Sequence, residues 1–201
     1  METALNLART TQAAAGLEPM PGDVTNAITY TRYRGGQLDG YLSRLHYTSE
    51  WIADNVAKGV IEDVTPSIGG EPFPLTVDFM SAHPERYPAL SESAALTDSM
   101  RHIERRINSI PRTYVPRERV AAIERKLRTG DLVAITTTSI HGLDYAHTGL
   151  IVREGNGARL LHASSKRGRV TLDDRLGAYL ARSARSNTGV TILRPLNPRS
   201  R

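Results

Sequence analysis

Apolar residues in the first two thirds of the chain recur with the three- and four-residue spacing of amphipathic helices. The first such pattern, over residues 1–14, predicts a helix that is already running at Met1, without a capping side chain before it, and that ends at Gly16. Residues 60–80 mix β-branched residues with prolines and predict short extended pieces. Further helices are predicted over residues 23–34, in the stretch that ends at Gly59, and over about 90–110 and 116–129.

The last third of the chain has the character of a sheet. Asn156 and Gly157 separate two apolar runs, which is a strong hairpin signal. A helix is predicted over residues 173–184, with Asp173 and Asp174 at its positively polarised N-terminal end. Strands are predicted over residues 131–138, 146–153, 158–165, 169–172 and 188–195. Helices followed by an antiparallel sheet indicate the α+β class, with N-terminal helices packed on a C-terminal sheet.

Length and composition fit a single globular domain of 201 residues. Hydrophobic residues make up 39% and charged residues 23%, and no apolar run approaches the roughly 20 residues that span a bilayer. The net charge is +5, and only three of the 26 basic residues are lysines. This composition either marks a surface for a polyanion or reflects a bias toward arginine on solvated faces. No basic stretch alternates with aromatic residues, so a specific nucleic-acid partner is not expected.

The predicted hairpin brings two of the six histidines together. With its turn at residues 155–157, His147 lies opposite about residue 165, and His162 lies within a few positions on the neighbouring strand. A pair of imidazoles at one end of a sheet suits a general base and the partner that orients it. The alternative is a pair of ordinary polar strand residues, and the spacing alone leaves both interpretations open.

Other kinds of site have weaker support in the sequence. A zinc site could draw on His141, His147, His162 and Asp144, but no HxxxH pair on a helix supports it. No glycine-rich phosphate-binding motif follows a strand. We therefore expect neither a metal nor a cofactor.

Nucleophiles are also scarce. The chain contains no cysteine, which excludes disulfides and thiolate metal sites. Ser139, Ser164 and Ser165 lie neither in a G-x-S-x-G elbow nor in an S-x-x-K motif, so a serine mechanism has little support.

Four ordered segments carry a resemblance to a known family. They are RYRGGQLDGYLSRLHYTSEWIADN (32–55), GDLVAIT (130–136), GLDYAHTGLIV (142–152) and LLHASSKRGRV (160–170). In this order they resemble the N-acetylmuramoyl-L-alanine amidase-like family, a branch of the NlpC-type, papain-like cysteine peptidases. The likeness extends over essentially the whole chain.

The resemblance implies a fold and a chemistry. Residues 1–201 would form one papain-like, NlpC-type domain, with a helical insertion over residues 60–128. A cysteine at a helix N-terminus would attack an amide in or next to the stem peptide of peptidoglycan. By the same resemblance, His147 matches the general base and His162 matches the polar residue that orients it.

The chain departs from the family in one respect that concerns the nucleophile. The family's cysteine comes roughly one helical turn before the segment that matches METALNLART, so it would precede Met1. Either the sequence is truncated or it descends from the family without its cysteine. In both cases the 201 residues are expected to be inactive by a cysteine mechanism. Family members are typically periplasmic or secreted, and no signal sequence is visible in this chain.

The resemblance also supplies candidates for substrate binding. Residues 32–55 match a block that lies next to the cleft in the family, and by this resemblance Tyr41 and Arg44 could hold carboxylates of the stem peptide. The alternative for this segment is that it packs the scaffold. For Asp144, the alternative is that it closes a turn. The candidates are Tyr41, Arg44, His46, Tyr47 and Asp144. Peptidoglycan or a muropeptide is the expected partner, and the sequence does not indicate an oligomeric state.

Overall fold

A computed structural model describes residues 1–14, 17–182 and 186–198 of the chain. The predicted helix end at Gly16 and the end of the predicted helix 173–184 lie outside these residues. The helices are α1 (Glu2–Ala13), α2 (Pro21–Arg32), α3 (Thr48–Ala57), α4 (Thr65–Ile68), α5 (Phe79–Ala82), α6 (Pro88–Ser91), α7 (Ala94–Asn108), α8 (Arg117–Ile123) and α9 (Leu176–Arg182).

The strands form one sheet whose pairs are all antiparallel. They are β1 (Ile61–Asp63), β2 (Glu71–Pro72), β3 (Thr113–Pro116), β4 (Leu132–Thr137), β5 (Tyr145–Glu154), β6 (Gly157–Ser164), β7 (Arg169–Arg175) and β8 (Asn187–Pro195). Their order is β2-β3-β8-β4-β5-β6-β7, and β1 also pairs with β8. The α+β class and the packing of helices on an antiparallel sheet are therefore confirmed.

Helix packing covers both faces of the sheet, and β4 shows why. All six of its residues are buried, and its alternate side chains point to opposite faces. Val133 and Ile135 join a cluster with residues of α8 and α9. Leu132 and Ala134 join a second cluster with Leu5 of α1 and residues of α3. A strand buried on both faces reads as a continuous apolar run, which is the pattern found in the sequence.

A third cluster lies among the helices between β2 and β3. Helix α7 buries Met100 and Ile107 completely, seven residues apart on one face of the helix. Both pack with residues of α5 and α6. Residues 60–128 are thus helical in the middle, but β1 and β3 within them pair with β8. Their description as an insertion remains a prediction.

Two helix boundaries differ from those that the periodicity predicts for reasons of local chemistry, and a third agrees with the prediction. The helix predicted over 90–110 is divided into α6 and α7, because the Ser93 hydroxyl accepts a hydrogen bond from Leu96 N and starts a new helix. Helix α2 begins earlier than predicted, at Pro21, whose fixed φ suits a first helical position. Gly59 follows α3 with a positive φ, as expected for a residue that ends a helix.

The largest local error concerns Asp173 and Asp174. The sequence prediction places them at the N-terminal end of a helix, but both lie in β7, and α9 starts only at Leu176. Strand β7 is longer than predicted because its pairing with β6 continues as far as Arg159 with Arg175, after a register shift. Cross-strand pairing thus overrides the local preference of the acidic pair for a helix start.

Gly149 permits the close approach of β5 to β6. A Cβ atom at this position would lie 2.6 Å from Leu160 Cδ1, 2.9 Å from Leu161 O and 3.3 Å from His162 Cβ. The backbone carbonyl and the buried strand leave little freedom for this crowding to relax. The space above Gly149 is therefore already filled by the neighbouring strand.

We predict that Gly149→Ala lowers the free energy of unfolding by about 1–3 kcal/mol, as overpacking of a core does. Urea denaturation followed by circular dichroism would measure it. Gly22→Ala is the matched control, because a Cβ at Gly22 meets nothing within 4 Å and this residue lies in α2. It should be neutral or slightly stabilising. Equal stability of the two variants would contradict the proposed crowding.

Candidate functional site

The start of β5 and the middle of β6 bring His147 and His162 into contact. Leu150 pairs with Leu161, which aligns His147 with about residue 164 and agrees with the predicted hairpin. His147 Nε2 lies 2.7 Å from His162 Nδ1, and the two rings are nearly perpendicular at 89°. The two imidazoles therefore share a hydrogen bond rather than standing as separate polar side chains.

The two histidines differ in their surroundings. His162 is 5% exposed, whereas His147 is partly open to solvent. The pKa of His147 is lowered by its burial first, then by the His162 imidazole and by the N-terminal ammonium group of Met1. His147 is consequently neutral at pH 7 and able to accept a proton.

The N-terminal end of α1 lies near the start of β5, since Met1 and Thr148 border the same space. A cavity of about 310 Å³ opens at this end of the helix. Its lining includes Met1, Arg32, Arg44, His46, Trp51 and Thr148. Thr148 is the residue after His147 and pairs with Ala134 on the α1 side of the sheet. The cavity thus reaches β5 on its α1 side, whereas His147 is paired with Ile135 and points to the other face, and neither histidine of the pair lines the cavity.

Glu2 organises one wall of this cavity. Its Oε2 accepts hydrogen bonds from Arg32 Nε at 2.9 Å and Nη2 at 2.6 Å, and its Oε1 accepts one from Trp51 Nε1 at 3.2 Å. One carboxylate therefore joins the first turn of α1 to α2 and α3. The sequence analysis missed this role, because the partners are 30 and 49 residues away.

Three of the five predicted binding residues lie together beside the cavity. The Tyr41 and His46 rings pack at 4.7 Å between centroids, and His46 Nε2 lies 3.1 Å from Tyr41 O. The pKa of His46 is lowered, mainly by burial. Arg44 is exposed and lines the cavity with His46. Arg44 and His46 thus line the cavity, and Tyr41 packs against the His46 ring.

The other two predicted binding residues are buried by the scaffold. The Tyr47 hydroxyl donates to Glu104 Oε1 at 2.7 Å and accepts from Met80 N at 2.9 Å, so it is fully engaged although its ring borders the cavity. Asp144 is 2% exposed, and its Oδ2 accepts from Ser49 N at 3.2 Å in the first turn of α3. Burial raises the pKa of Asp144. The structure does not bring Asp144 into the cavity.

Two neighbours of His162 were missed by the sequence analysis. Asp173 Oδ2 lies 3.5 Å from His162 Nε2, and the Tyr179 ring meets the His162 ring at 70° with 5.2 Å between centroids. Asp173 also pairs with Arg182, whose guanidinium lies over the Tyr179 ring. A predicted strand that extended as far as Asp173 would have placed this residue beside His162. The sequence analysis instead interpreted Asp173 and Asp174 as the start of a helix.

The serine and zinc alternatives gain no support. Ser139 Oγ bonds the Thr137 hydroxyl at 2.8 Å, and Ser164 Oγ accepts from Arg167 N at 3.3 Å. Across residues 1–14, 17–182 and 186–198, no group of three or more histidine and carboxylate side chains could hold a metal ion. Asp144 and the two histidines of the pair are in particular not assembled around one point.

Many arginines serve the fold itself. Arg194 forms a two-pronged ion pair with Asp131, at 2.9 and 2.8 Å, where β8 and β4 meet. Arg34 and Arg106 share Oε1 of the buried Glu50. These pairs account for part of the arginine-rich composition by contacts within the chain. In the described part of the chain, no helix is both long enough and apolar enough to cross a bilayer.

Comparison with known proteins gives a consistent result. Residues 1–189 match the family model described as AmiA-like, N-acetylmuramoyl-L-alanine amidase-like. A crystal structure of an N-acetylmuramoyl-L-alanine amidase from Bacteroides uniformis is similar, with a TM-score of 0.88 and 32% identity over 96% of this chain and 81% of that chain. No functionally curated protein matches the chain.

Two further solved structures are similar. One, from Bacteroides fragilis and described as a candidate xylanase, has a TM-score of 0.85 and 34% identity over 96% of this chain and 83% of that chain. The other, from Legionella pneumophila, has a TM-score of 0.67 and 21% identity over 98% of this chain and 75% of that chain, and it shows the fold alone.

The lowered pKa of His147 has a measurable consequence for stability. Because this pKa lies below its value in the unfolded chain, the unfolded state binds more protons as the pH falls below about 6.5. The free energy of unfolding should therefore decrease below that pH. We predict that the free energy of unfolding of the His147→Gln variant decreases less over the same pH range. Urea unfolding at several pH values would measure it. Identical pH profiles for the two proteins would contradict a depressed pKa at His147.

Proposed function

Because the chain belongs to the N-acetylmuramoyl-L-alanine amidase-like family, we propose that it acts on peptidoglycan, at an amide bond in or next to the stem peptide. The observation that carries this proposal is the pair of hydrogen-bonded imidazoles, one buried and one partly open, on β5 and β6. Such a pair provides a general base and a group that holds it in place.

Amide hydrolysis needs a proton to move twice, and His147 suits both transfers. Neutral at pH 7, it can take the proton from an attacking nucleophile. The imidazolium that results can return this proton to the amine nitrogen that leaves. His162 keeps the ring in place through the 2.7 Å hydrogen bond between Nε2 of His147 and its own Nδ1.

Glycoside hydrolysis, which the name of one similar structure suggests for that protein, fits this site less well. Glycosidases use two carboxyl groups on opposite sides of the bond that they cleave. Here the groups that face each other are two imidazoles, and Asp173 lies behind His162 rather than opposite His147. The chemistry of the side chains therefore favours an amide over a glycosidic bond.

The nucleophile of this proposal is a cysteine on the N-terminal side of α1. The chain itself contains none, and the Met1 ammonium group lies close enough to His147 to lower its pKa. From the family resemblance we propose that a residue one turn before Met1 on the same helix approaches the imidazole, and the helix dipole at that position favours a thiolate. This arrangement is the papain-like, NlpC-type core. By this mechanism the 201 residues alone are inactive.

The cavity beside β5 is proposed to hold the stem peptide. Arg44 is exposed there and free to pair a carboxylate, and Tyr41 and His46 offer ring surfaces next to it. Tyr47 and Asp144 contribute indirectly, by fixing the segment that carries these residues and the first turn of α3. Because the cell wall lies outside the cytoplasm, we further propose a periplasmic or secreted location.

A second candidate function is binding of muropeptides without catalysis. The observation that favours it is the absence of a cysteine from the sequence. It uses the same cavity and the same arginine, but it needs no proton transfer by His147. Tests of binding and of hydrolysis therefore separate the two candidates.

The hydrolytic proposal predicts activity in a longer form of the protein. The chain extended by the residues that its gene encodes before Met1, with a cysteine about one turn upstream, should release amine groups from purified peptidoglycan. His147→Ala should lower this activity at least ~100-fold, because the general base is lost. Replacement of the cysteine by alanine should have a similar effect.

His102→Ala is the control, since His102 is exposed on α7 and hydrogen-bonds Arg105 of the same helix. It should retain full activity. Muropeptide binding without hydrolysis by the extended protein would favour the second candidate. Hydrolysis by the cysteine-free chain would contradict the cysteine mechanism.

The proposed binding site predicts a specific loss of affinity in the chain as it stands. Arg44→Ala should weaken the binding of a muropeptide with a free carboxylate by about 10- to 150-fold, the range for a hydrogen bond to a charged group. Isothermal titration calorimetry would measure the dissociation constant. Arg119→Ala, which removes the same charge from an ion pair with Glu71 outside the cavity, should have no effect. Equal losses in both variants would indicate attraction by net charge only.

A further inference from the structure

The Nε2 atom of His162 is in an unusual environment. It is buried and has no hydrogen-bond partner of normal geometry within the described residues. The Asp173 Oδ2 atom, 3.5 Å away, is the charged group that faces it. Buried polar atoms are rarely left without a partner, because the loss of hydration is then uncompensated. A shift of a few tenths of an ångström would complete this hydrogen bond.

Asp173 is held in place as a carboxylate. Its Oδ1 accepts a hydrogen bond from Asp174 N at 2.8 Å and another from Arg182, and Arg167 lies 3.9 Å from Oδ2. The pKa of Asp173 is lowered, first by the backbone hydrogen bond from Asp174. An ionised carboxylate can only accept hydrogen bonds. The proton between Asp173 and His162 must therefore belong to His162 Nε2.

This placement determines the protons on both imidazoles. A neutral imidazole carries one N–H, so His162 with its proton on Nε2 has a lone pair on Nδ1. That lone pair accepts from His147 Nε2 across the 2.7 Å contact. His147 in turn keeps its lone pair on Nδ1. The opposite arrangement would aim a lone pair of His162 at the carboxylate of Asp173, which is repulsive.

We propose that Asp173 is a positioning residue that acts through His162 and makes Nδ1 of His147 the atom that accepts the proton. The catalytic meaning of this inference rests on the proposed function. In the reaction, the nucleophile's proton would move to His147 Nδ1, and the same proton would leave with the amine. His162 Nδ1 would accept from the charged His147 ring throughout, with the negative charge of Asp173 behind it.

A purely structural role is the alternative. Asp173 also joins β7 to α9 through Arg182, and Tyr179 of the same helix packs on the His162 ring. Asp174 offers a matched control, because it is adjacent, carries the same charge and pairs with Arg182 at 2.9 Å, whereas the histidine contact is made by Asp173. Replacing either aspartate disturbs the arginine, but only Asp173 should affect the imidazoles.

The test is a long-range ¹H–¹⁵N correlation spectrum of the imidazoles in the 201-residue chain at about pH 8, where histidines of ordinary pKa are neutral. Both His147 and His162 should carry their proton on Nε2. Asp173→Ala should abolish this preference at His162, Asp174→Ala should preserve it, and Asp173→Asn should restore it by providing an acceptor. A proton on Nδ1 of His162 in the wild-type protein would overturn the inference even if no variant folds. Unchanged spectra in folded Asp173→Ala would also overturn it.

A kinetic arm links the inference to catalysis and separates its failure from that of the proposed function. In the extended, active protein, Asp173→Ala should lower kcat at least about tenfold with KM unchanged, because the base is presented incorrectly. Asp173→Asn should have a kcat between those of Asp173→Ala and the wild-type protein. Asp174→Ala should keep the wild-type kcat. If the imidazole spectra are as expected but the extended protein hydrolyses nothing, the proposed function is refuted and the inference about Asp173 stands. Hydrolysis that is insensitive to Asp173 would refute the inference alone.

Discussion

The antiparallel pairing of β5 with β6 is the constraint on which the site depends. Its register sets Ile151 opposite Leu160 on the face that packs against α8 and α9, and the same face carries His147 and His162 farther along. Gly149 between them allows the strands and Leu160 to approach without a clash. A slip of one residue would turn one imidazole to the other side of the sheet and break their hydrogen bond.

Around this pair, the polar groups of the structure divide into those that hold the scaffold and those that remain accessible. Glu2, Glu104 Oε1 and Asp144 Oδ2 accept hydrogen bonds from side chains or backbone amides in distant parts of the chain. Arg44, in contrast, is exposed at the cavity beside the strand end. This division is what a binding site on a rigid frame requires, since the buried hydrogen bonds fix the accessible groups in place.

The likeness to solved amidase structures and the chemistry of the site support each other but rest on different grounds. Similarity over 96% of the chain shows the fold and the family. The 2.7 Å contact of two imidazoles, with the lowered pKa of His147, supports the proposed role of His147 as a base in amide hydrolysis. The choice between catalysis and binding depends on a nucleophile, which the chain as given does not contain.

The sequence by itself determined the α+β class, the central strands and the contact of His147 with His162. These follow from local periodicity and from a hairpin turn, which relate residues only 15 positions apart. Only the tertiary structure decided which candidates reach the cavity: it buried Asp144 and moved Asp173 from a helix start into β7, behind His162. The physical reason is that burial and ion pairing depend on elements far apart in the chain, and no local pattern encodes their distance.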